Sequence, residues 1–266
     1  MSGPKNKDSM SNVMAVALAV CFVCSIMVAS AAVLLKPQRI ANKNFDRISN
    51  IVMAAGIQNV SPSEIASRFD EFEVKVVDLE EERVLSDLEA LDLGIDPSTY
   101  DQRKASKDPS LSKALNDLED IAAISRRARY SLIYVLREEE TRAISKIILP
   151  VHGYGLWSTL YGFLSLQGDM NTVSGITFYE HGETAGLGGE VDNSEWKKSW
   201  QGKKIYSDGN VALRVIKGKT SEDSPNYDYQ IDGLSGATLT SRGVENLVAF
   251  WLGKDGFGPV LAKLEG

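Results

Sequence analysis

Asp232-Gly233-Leu234-Ser235-Gly236-Ala237-Thr238 runs without a break into a stretch where Val244, Leu247, Val248, Trp251 and Leu252 fall at i, i+3, i+4, i+7 and i+8. That spacing predicts a helix with one apolar face. Gly253 follows, where a helix-ending glycine belongs. The small residues ahead of the helix predict a tight turn that delivers the Thr238 hydroxyl close to a helix N-terminus. Free N–H groups and the positive end of the helix dipole gather at such a place and receive a phosphate well. A Ser/Thr turn that only leads into a helix has the same composition, and the residues alone do not separate the two readings.

Upstream, short apolar runs predict strands. These are residues 130–136, 144–149 (stopped by Pro150), 156–166, 173–179, 211–216 and 227–231. Phe72, Val74 and Val76 alternate with Glu73 and Lys75, as in a half-buried strand. Residues 193–201 read as a helix with Trp196 and Trp200 four apart on one face. Ser61-Pro62-Ser63-Glu64 reads as a helix start, with Ser at the N-cap, Pro first inside and Glu third, for a helix to about Phe69. The charged region 80–120, with Asp96-Pro97 and Asp108-Pro109, reads as a surface excursion with short helices, its acidic runs being solvated faces. The fold class is therefore α+β, with a curved antiparallel or half-barrel sheet.

The N-terminal part is different. After a short polar head at residues 1–12, residues 13–35 contain no charge, and 23 residues are enough to span a hydrocarbon core as a helix. A signal peptide cleaved near Ala29-Ser30-Ala31 is the alternative; the length of the run favours an uncleaved anchor. Lys36, Arg39 and Lys43 follow as interfacial anchors, and residues 36–60 read as a partly helical juxtamembrane segment ahead of a soluble domain at 61–266. Positive charge flanks both ends of the span, so the positive-inside rule does not set its orientation. The span has no acidic residue and so no evident ion path of its own.

Composition narrows the chemistry. The 266 residues carry a net charge of −7 and a pI near 5.1, which argues against nucleic acid as a partner. The two cysteines, Cys21 and Cys24, both lie in the apolar run and read as small packing residues. The rest of the chain thus has no disulfide framework, no cysteine-held iron–sulfur site and no c-type haem attachment. Two histidines, His152 and His181, are too few for a His-rich metal centre. Redox chemistry in this chain would need an organic cofactor.

Two further stretches are candidates. His181-Gly182-Glu183-Thr184-Ala185-Gly186-Leu187-Gly188-Gly189 has glycines that let backbone approach a flat ligand, with Glu183 and Thr184 adding polar groups. A glycine-rich connector is the commoner reading of such a loop, and it is neither a dinucleotide fingerprint nor a Walker loop. In Gly153-Tyr154-Gly155-Leu156-Trp157-Ser158-Thr159-Leu160-Tyr161-Gly162, the aromatics beside glycines could stack on a ring system; core or sheet-face aromatics are the plainer alternative.

The opening stretch resembles the flavinylation motif Asp-x-x-Ser/Thr-Gly-Ala-Thr of bacterial FMN-binding domains. The resemblance implies FMN joined to Thr238 by a phosphoester bond. It implies Ser235, Gly236 and Ala237 around the phosphate, with Glu183, Thr184, Gly186, Leu187 and Gly188 of the glycine loop, and Trp157, as further cofactor-binding residues. It also implies a separate flavin transferase that uses FAD and a divalent cation and recognises Asp232. A threonine hydroxyl is a weak nucleophile without an adjacent base, and no histidine is near in sequence, which agrees with modification by another enzyme. No catalytic residue and no resident metal ligand is expected.

The glycine loop, the aromatic stretch, Gly253 to Pro259 and the single anchor extend the likeness along most of the chain. It is similar to the C-subunit family of Na⁺-translocating NADH:quinone reductases, with an FMN-binding core at about residues 146–253. Ala185 and Ser194 depart from that family's usual prolines, which loosens local backbone and removes no functional group. The resemblance implies an electron-relaying subunit that works with other subunits of a membrane reductase. It implies a single-pass protein of the bacterial inner membrane with its soluble domain on the periplasmic side, coupled through the complex to ubiquinone reduction and Na⁺ export. The G subunit of Rnf-type complexes shares these motifs but is typically shorter; the insert at 70–145 and the Trp196/Trp200 helix favour the reductase. A tethered non-redox binding domain is the alternative of another class.

Overall fold

The computed structural model describes residues 9–57 and 60–264. The chain divides at residue 46 into two compact units. The first holds most of a single helix, α1 (Met10–Ala54), which begins a little before the uncharged run and continues well past it through Pro37. The apolar stretch of α1 is long and apolar enough to cross a membrane. Its apolar side chains, Val16, Phe22 and Val28 among them, are exposed, and Cys21 and Cys24 are free thiols on it. The residues of the polar head before position 9, and positions 58–59 of the juxtamembrane segment, lie outside the described residues.

The second unit contains α2 (Ile65–Phe69), β1 (Glu73–Asp78), β2 (Arg83–Val84), α3 (Asp87–Asp92), α4 (Gln102–Ala105), β3 (Ser112–Ala114), β4 (Arg126–Ala128), β5 (Tyr130–Arg137), β6 (Ile144–Tyr154), β7 (Thr159–Gln167) and β8 (Val173–Glu180). It continues through α5 (Ser194–Lys198), β9 (Tyr206–Ser207), β10 (Asn210–Val211), β11 (Arg214–Val215), β12 (Gln230–Ile231), α6 (Thr238–Trp251) and α7 (Gly258–Leu264). The class is α+β, built on a six-stranded sheet in the order β2-β1-β5-β6-β7-β8 in which every neighbouring pair is antiparallel. Bulges at Leu136/Arg137, Tyr161/Gly162 and Ser165/Leu166 bend its strands.

Both faces of this sheet are buried, and the two sets of side chains alternate along each strand. Ile147, Leu149 and Val151 of β6 join Leu160 and Leu164 of β7 and Val244, Leu247, Val248 and Trp251 of α6 in one core. Ile148 and Phe163 face the other way, with Ile51, Val52 and Ala54 from the end of α1, Ile65 and Tyr134. Burial on both faces explains why β6 and β7 read as nearly unbroken apolar runs. A side chain as large as Leu or Phe buried here contributes about 1.5–3 kcal/mol.

Several boundaries differ from the sequence expectation. Pro150 does not stop a strand: β6 runs through it, pairing Pro150 with Phe163 of β7. The pairing of β6 with β5 ends at Ile148, so beyond that point one flank of β6 has no partner strand and a missing N–H breaks no ladder there. Strand β7 starts at Thr159, because Leu156 to Ser158 form the bend of the β6–β7 hairpin. The expected strand at 211–216 is divided between β10 and β11, and most of 227–231 is a 3-10 turn before β12. Those segments are too short to be read by alternation. The helix near Ser61 begins at Ile65, because the Ser61 hydroxyl donates to the Glu64 carboxylate at 2.7 Å instead of accepting an N–H. The Trp196/Trp200 helix is confined to Ser194–Lys198, capped by Asn193, and the two indoles meet edge to face at 5.5 Å.

His152, on β6, packs at 5.4 Å from the Tyr161 ring and 4.8 Å from the Trp251 ring. Burial, helped by the Arg103 guanidinium, pushes its pKa down to about 4 from an ordinary 6.5. The unfolded chain therefore takes up the proton first, and stability that is whole above pH 6.5 falls as the pH drops from 6.5 towards 4. In thermal melts across that window, His152→Phe is expected to flatten this part of the pH profile; an unchanged slope would show that His152 does not carry it.

Candidate functional site

The opening stretch is the turn that launches α6. Ala237 N–H donates to Leu234 O at 3.1 Å, and Gly236, third in this four-residue turn, has φ +72°. That left-handed value is what a glycine supplies at this turn position. The turn is held from outside. Leu234 N–H donates to the Ser241 hydroxyl at 2.9 Å, Gly233 N–H donates to Gly218 O at 2.9 Å, and Asp232 O accepts the Trp196 indole N–H at 2.8 Å. Thr238 is then the first residue of α6, and its side chain is exposed.

This helix start has no side-chain cap. Ser241 N–H makes the first intrahelical bond, to Ala237 O, and the N–H groups of Thr238, Leu239 and Thr240 meet no acceptor among the described residues. Orphan donors at the dipole's positive end are suited to an anion. A cleft of about 770 Å³ opens beside them, lined in part by Ser235, Gly236, Thr238 and Asp232, with Lys217, Lys219 and Arg242. Its acids are already engaged: Asp232 accepts both the N–H and the hydroxyl of Thr220 at 2.7 and 2.8 Å, and Glu245 accepts Val215 N–H at 2.8 Å. Glu190 accepts the Asn193 amide and Glu195 pairs with Lys198. The three cations form no ion pair among the described residues and so are available to an anion at the helix start, while the four carboxylates of the lining keep their charge.

The glycine loop and the aromatic stretch meet the same end of α6. Leu187 lies so close to Gly236 that an added Cβ there would be 3.0 Å from Leu187 Cδ2. A Cβ on Gly188 would be 2.6 Å from the Thr240 hydroxyl, so that glycine is required for close approach. Gly186 turns the outer part of the loop with φ +74°, while the Thr184 carbonyl accepts N–H from Leu187 and Gly189. Trp157 is neither in the core nor on a sheet face: it stands on the hairpin bend, 65% exposed, and Leu187 and Leu239 are 44% and 55% exposed. Ala237 is buried beneath the turn. The Glu183 carboxylate points away from the cleft and into the hairpin, where it accepts backbone N–H groups and the Thr240 hydroxyl.

Of the sequence candidates, Asp232, Ser235, Gly236 and Thr238 thus share the cleft, while Glu183, Thr184, Gly186, Leu187, Gly188 and Trp157 lie outside its lining. Sequence reasoning missed Lys217, Lys219 and Arg242. Arg242 had a readable signal, since it lies four residues after Thr238 on the same helix face; the lysines had none, because they reach the cleft through contacts between segments distant in sequence, among them Gly233–Gly218 and Thr220–Asp232. Thr240 and Ser241 were missed as well, although they extend the run of hydroxyl residues.

A family model described as an FMN-binding domain matches residues 155–253, which span the hairpin bend, the glycine loop, the turn and α6. The chain therefore carries an FMN-binding domain. It is 50% identical over 263 residues to the C subunit of the Na(+)-translocating NADH-quinone reductase of Pseudomonas aeruginosa, with 97% of each chain covered. It is 43% identical to the corresponding protein of Haemophilus ducreyi, covering 98% of this chain and 96% of that one. Among solved structures, Shewanella oneidensis NqrC superposes with a TM-score of 0.73 at 32% identity, over 85% of this chain and 99% of that chain. The C subunit of the Parabacteroides distasonis reductase gives 0.63 at 26% identity, over 85% and 96%. The chain belongs to the family formed by the C subunits of Na⁺-translocating NADH-quinone reductases.

The close seat of α6 on the hairpin can be tested at Gly243, where a Cβ would lie 2.5 Å from Tyr154 O and 2.9 Å from Gly155 Cα. Gly243→Ala is expected to lower stability by about 1–3 kcal/mol in denaturant titrations, the usual cost of overpacking. A variant as stable as the parent would mean that this contact is not tight.

Proposed function

We propose that this chain is an electron-relaying subunit that holds FMN covalently on Thr238 through a phosphoester bond. The observation that carries the reading is the conjunction at the start of α6: an exposed hydroxyl, three N–H groups without acceptors among the described residues, and a cleft with Lys217, Lys219 and Arg242. In this reading the helix N-terminus and those cations balance the phosphate charge, while Ser235, Gly236 and Ala237 shape the turn around it. Trp157, Leu187 and Leu239 offer exposed apolar surface near the same helix end for the flavin ring, with Thr184, Gly186 and Gly188 keeping the loop low. Bound FMN supplies one-electron redox chemistry; the protein supplies position and electrostatics.

Among the described residues no histidine or carboxylate hydrogen-bonds to the Thr238 hydroxyl: His152 lies among Tyr161 and Trp251, His181 is on Asp192, and Asp232 is taken by Thr220. Attachment is therefore the work of a separate flavin transferase, and Asp232 serves it as a recognition point. Within the complex, the protein is anchored by residues 13–35 in the bacterial inner membrane, crosses once, and has its soluble domain in the periplasm. It passes electrons from the NADH side towards ubiquinone, in a cycle coupled to Na⁺ export by the other subunits.

Intact-mass measurement should show an FMN increment on the parent chain that Thr238→Ala loses, mapped to the tryptic peptide containing Thr238. Retention of the increment in that variant would overturn the site. The isolated chain should not oxidise NADH, and steady turnover would sink the relay-only reading. Labelling of an engineered surface cysteine by an impermeant reagent in intact cells decides the side of the membrane.

A further inference from the structure

Glu183 is buried, only 8% exposed, in a domain whose other acids are mostly at the surface. Its carboxylate takes donations from the hairpin bend and from α6. Oε1 accepts the N–H groups of Leu156, Trp157 and Ser158 at 3.1, 2.9 and 3.2 Å, and Oε2 accepts Leu156 N–H at 3.2 Å and the Thr240 hydroxyl at 2.6 Å. Successive N–H groups turned towards one anion form a nest. Glycines make the room: a Cβ on Gly155 would come within 2.7 Å of Oε1, and one on Gly188 within 2.8 Å of Oε2.

We infer that Glu183 is a positioning residue, a buried anionic clamp that fixes the Trp157 bend of the hairpin to the first turn of α6 and so sets the aromatic ring relative to Thr238. The carboxylate has no free valence for a flavin, since both oxygens are occupied by the protein's own donors. Burial alone would raise its pKa. The Thr240 hydroxyl and the N–H groups of Trp157, Leu156 and Ser158 outweigh that and hold it below the ordinary carboxylate value, so the clamp is charged at neutral pH. The bend has one internal backbone bond, Gly155 N–H to Ser158 O at 2.8 Å, and the Ser158 hydroxyl accepts Gly182 N–H from the glycine loop; neither reaches α6. The consequence for the flavin rests on the function proposed above; the clamp itself does not.

The test uses the full-length chain, purified with its flavin. Glu183→Gln keeps the shape and removes the charge. Amide hydrogen exchange should accelerate at Leu156, Trp157 and Ser158 by about tenfold or more, the factor a hydrogen bond to a charged group is worth. Amides in β5 to β8 away from the bend should keep their parent rates. On the function proposed above the Trp157 indole lies beside the flavin and quenches its emission in the parent, and in Glu183→Gln that emission should rise towards the level of Trp157→Phe with the flavin load by mass unchanged. Thr240→Val should move both readouts in the same direction, and Thr240→Ser, which keeps the hydroxyl, should restore the parent values. Unchanged exchange at the bend overturns the clamp, and uniform acceleration across the sheet reduces Glu183 to a general stabiliser, which also overturns it. Faster exchange with unchanged emission refutes the positioning role. A parent chain that carries no flavin although produced together with the flavin transferase refutes the proposed function and leaves the exchange measurement to decide the clamp.

Discussion

The structure depends on the contact between the first turns of α6 and the end of the β6–β7 hairpin. At Gly243 helix and strand end lie backbone against backbone, with no space for a side chain between Gly243 and Tyr154 O. Further along α6, Leu247 presses on Gly153, and the Trp251 indole N–H donates to His152 O at 2.7 Å. A helix fixed at three successive turns along one strand has no freedom to slide. The residue that begins it, Thr238, is thereby fixed in relation to the sheet. The apolar face of α6 supplies the free energy, and the glycines decide the distance.

The same contact explains why polar groups near the site fall into two sorts. Those on the hairpin side of α6, led by Glu183, are turned inward and saturated by protein donors. Those on the cleft side, Lys217, Lys219, Arg242 and the orphan N–H groups, form no ion pair or hydrogen bond with the described residues. A protein that left both sorts unsatisfied would be unstable, because buried polar groups without partners cost free energy. Satisfying the buried set while leaving the solvent-facing set open is compatible with stability and with a ligand.

Much of this is legible in the sequence, and the limits have physical causes. The α6 helix is plain because its apolar residues repeat at the helical period. Strands β5, β6 and β8 are plain because they are buried on both faces. The end of β6 is hidden because Pro150 is a stop only where a partner strand needs its N–H, and pairing is not visible in one chain. Trp157 reads as stacking or core because aromatics are usually one or the other; a hairpin bend that lifts it into solvent depends on Glu183, twenty-six residues away. The cleft cations are hidden for the same reason: Lys217 and Lys219 come to the same cleft as Thr238 through contacts between loops, and no local period marks such contacts. Glu183 itself reads as a ligand residue, and its glycine neighbours give no sign that it is buried in a nest of N–H groups.

Thr238 is exposed on the first turn of a helix whose opposite face is wholly buried. Its hydroxyl can be reached without disturbing a single core side chain. On the function proposed above, an enzyme that modifies Thr238 can act on the folded domain without opening it.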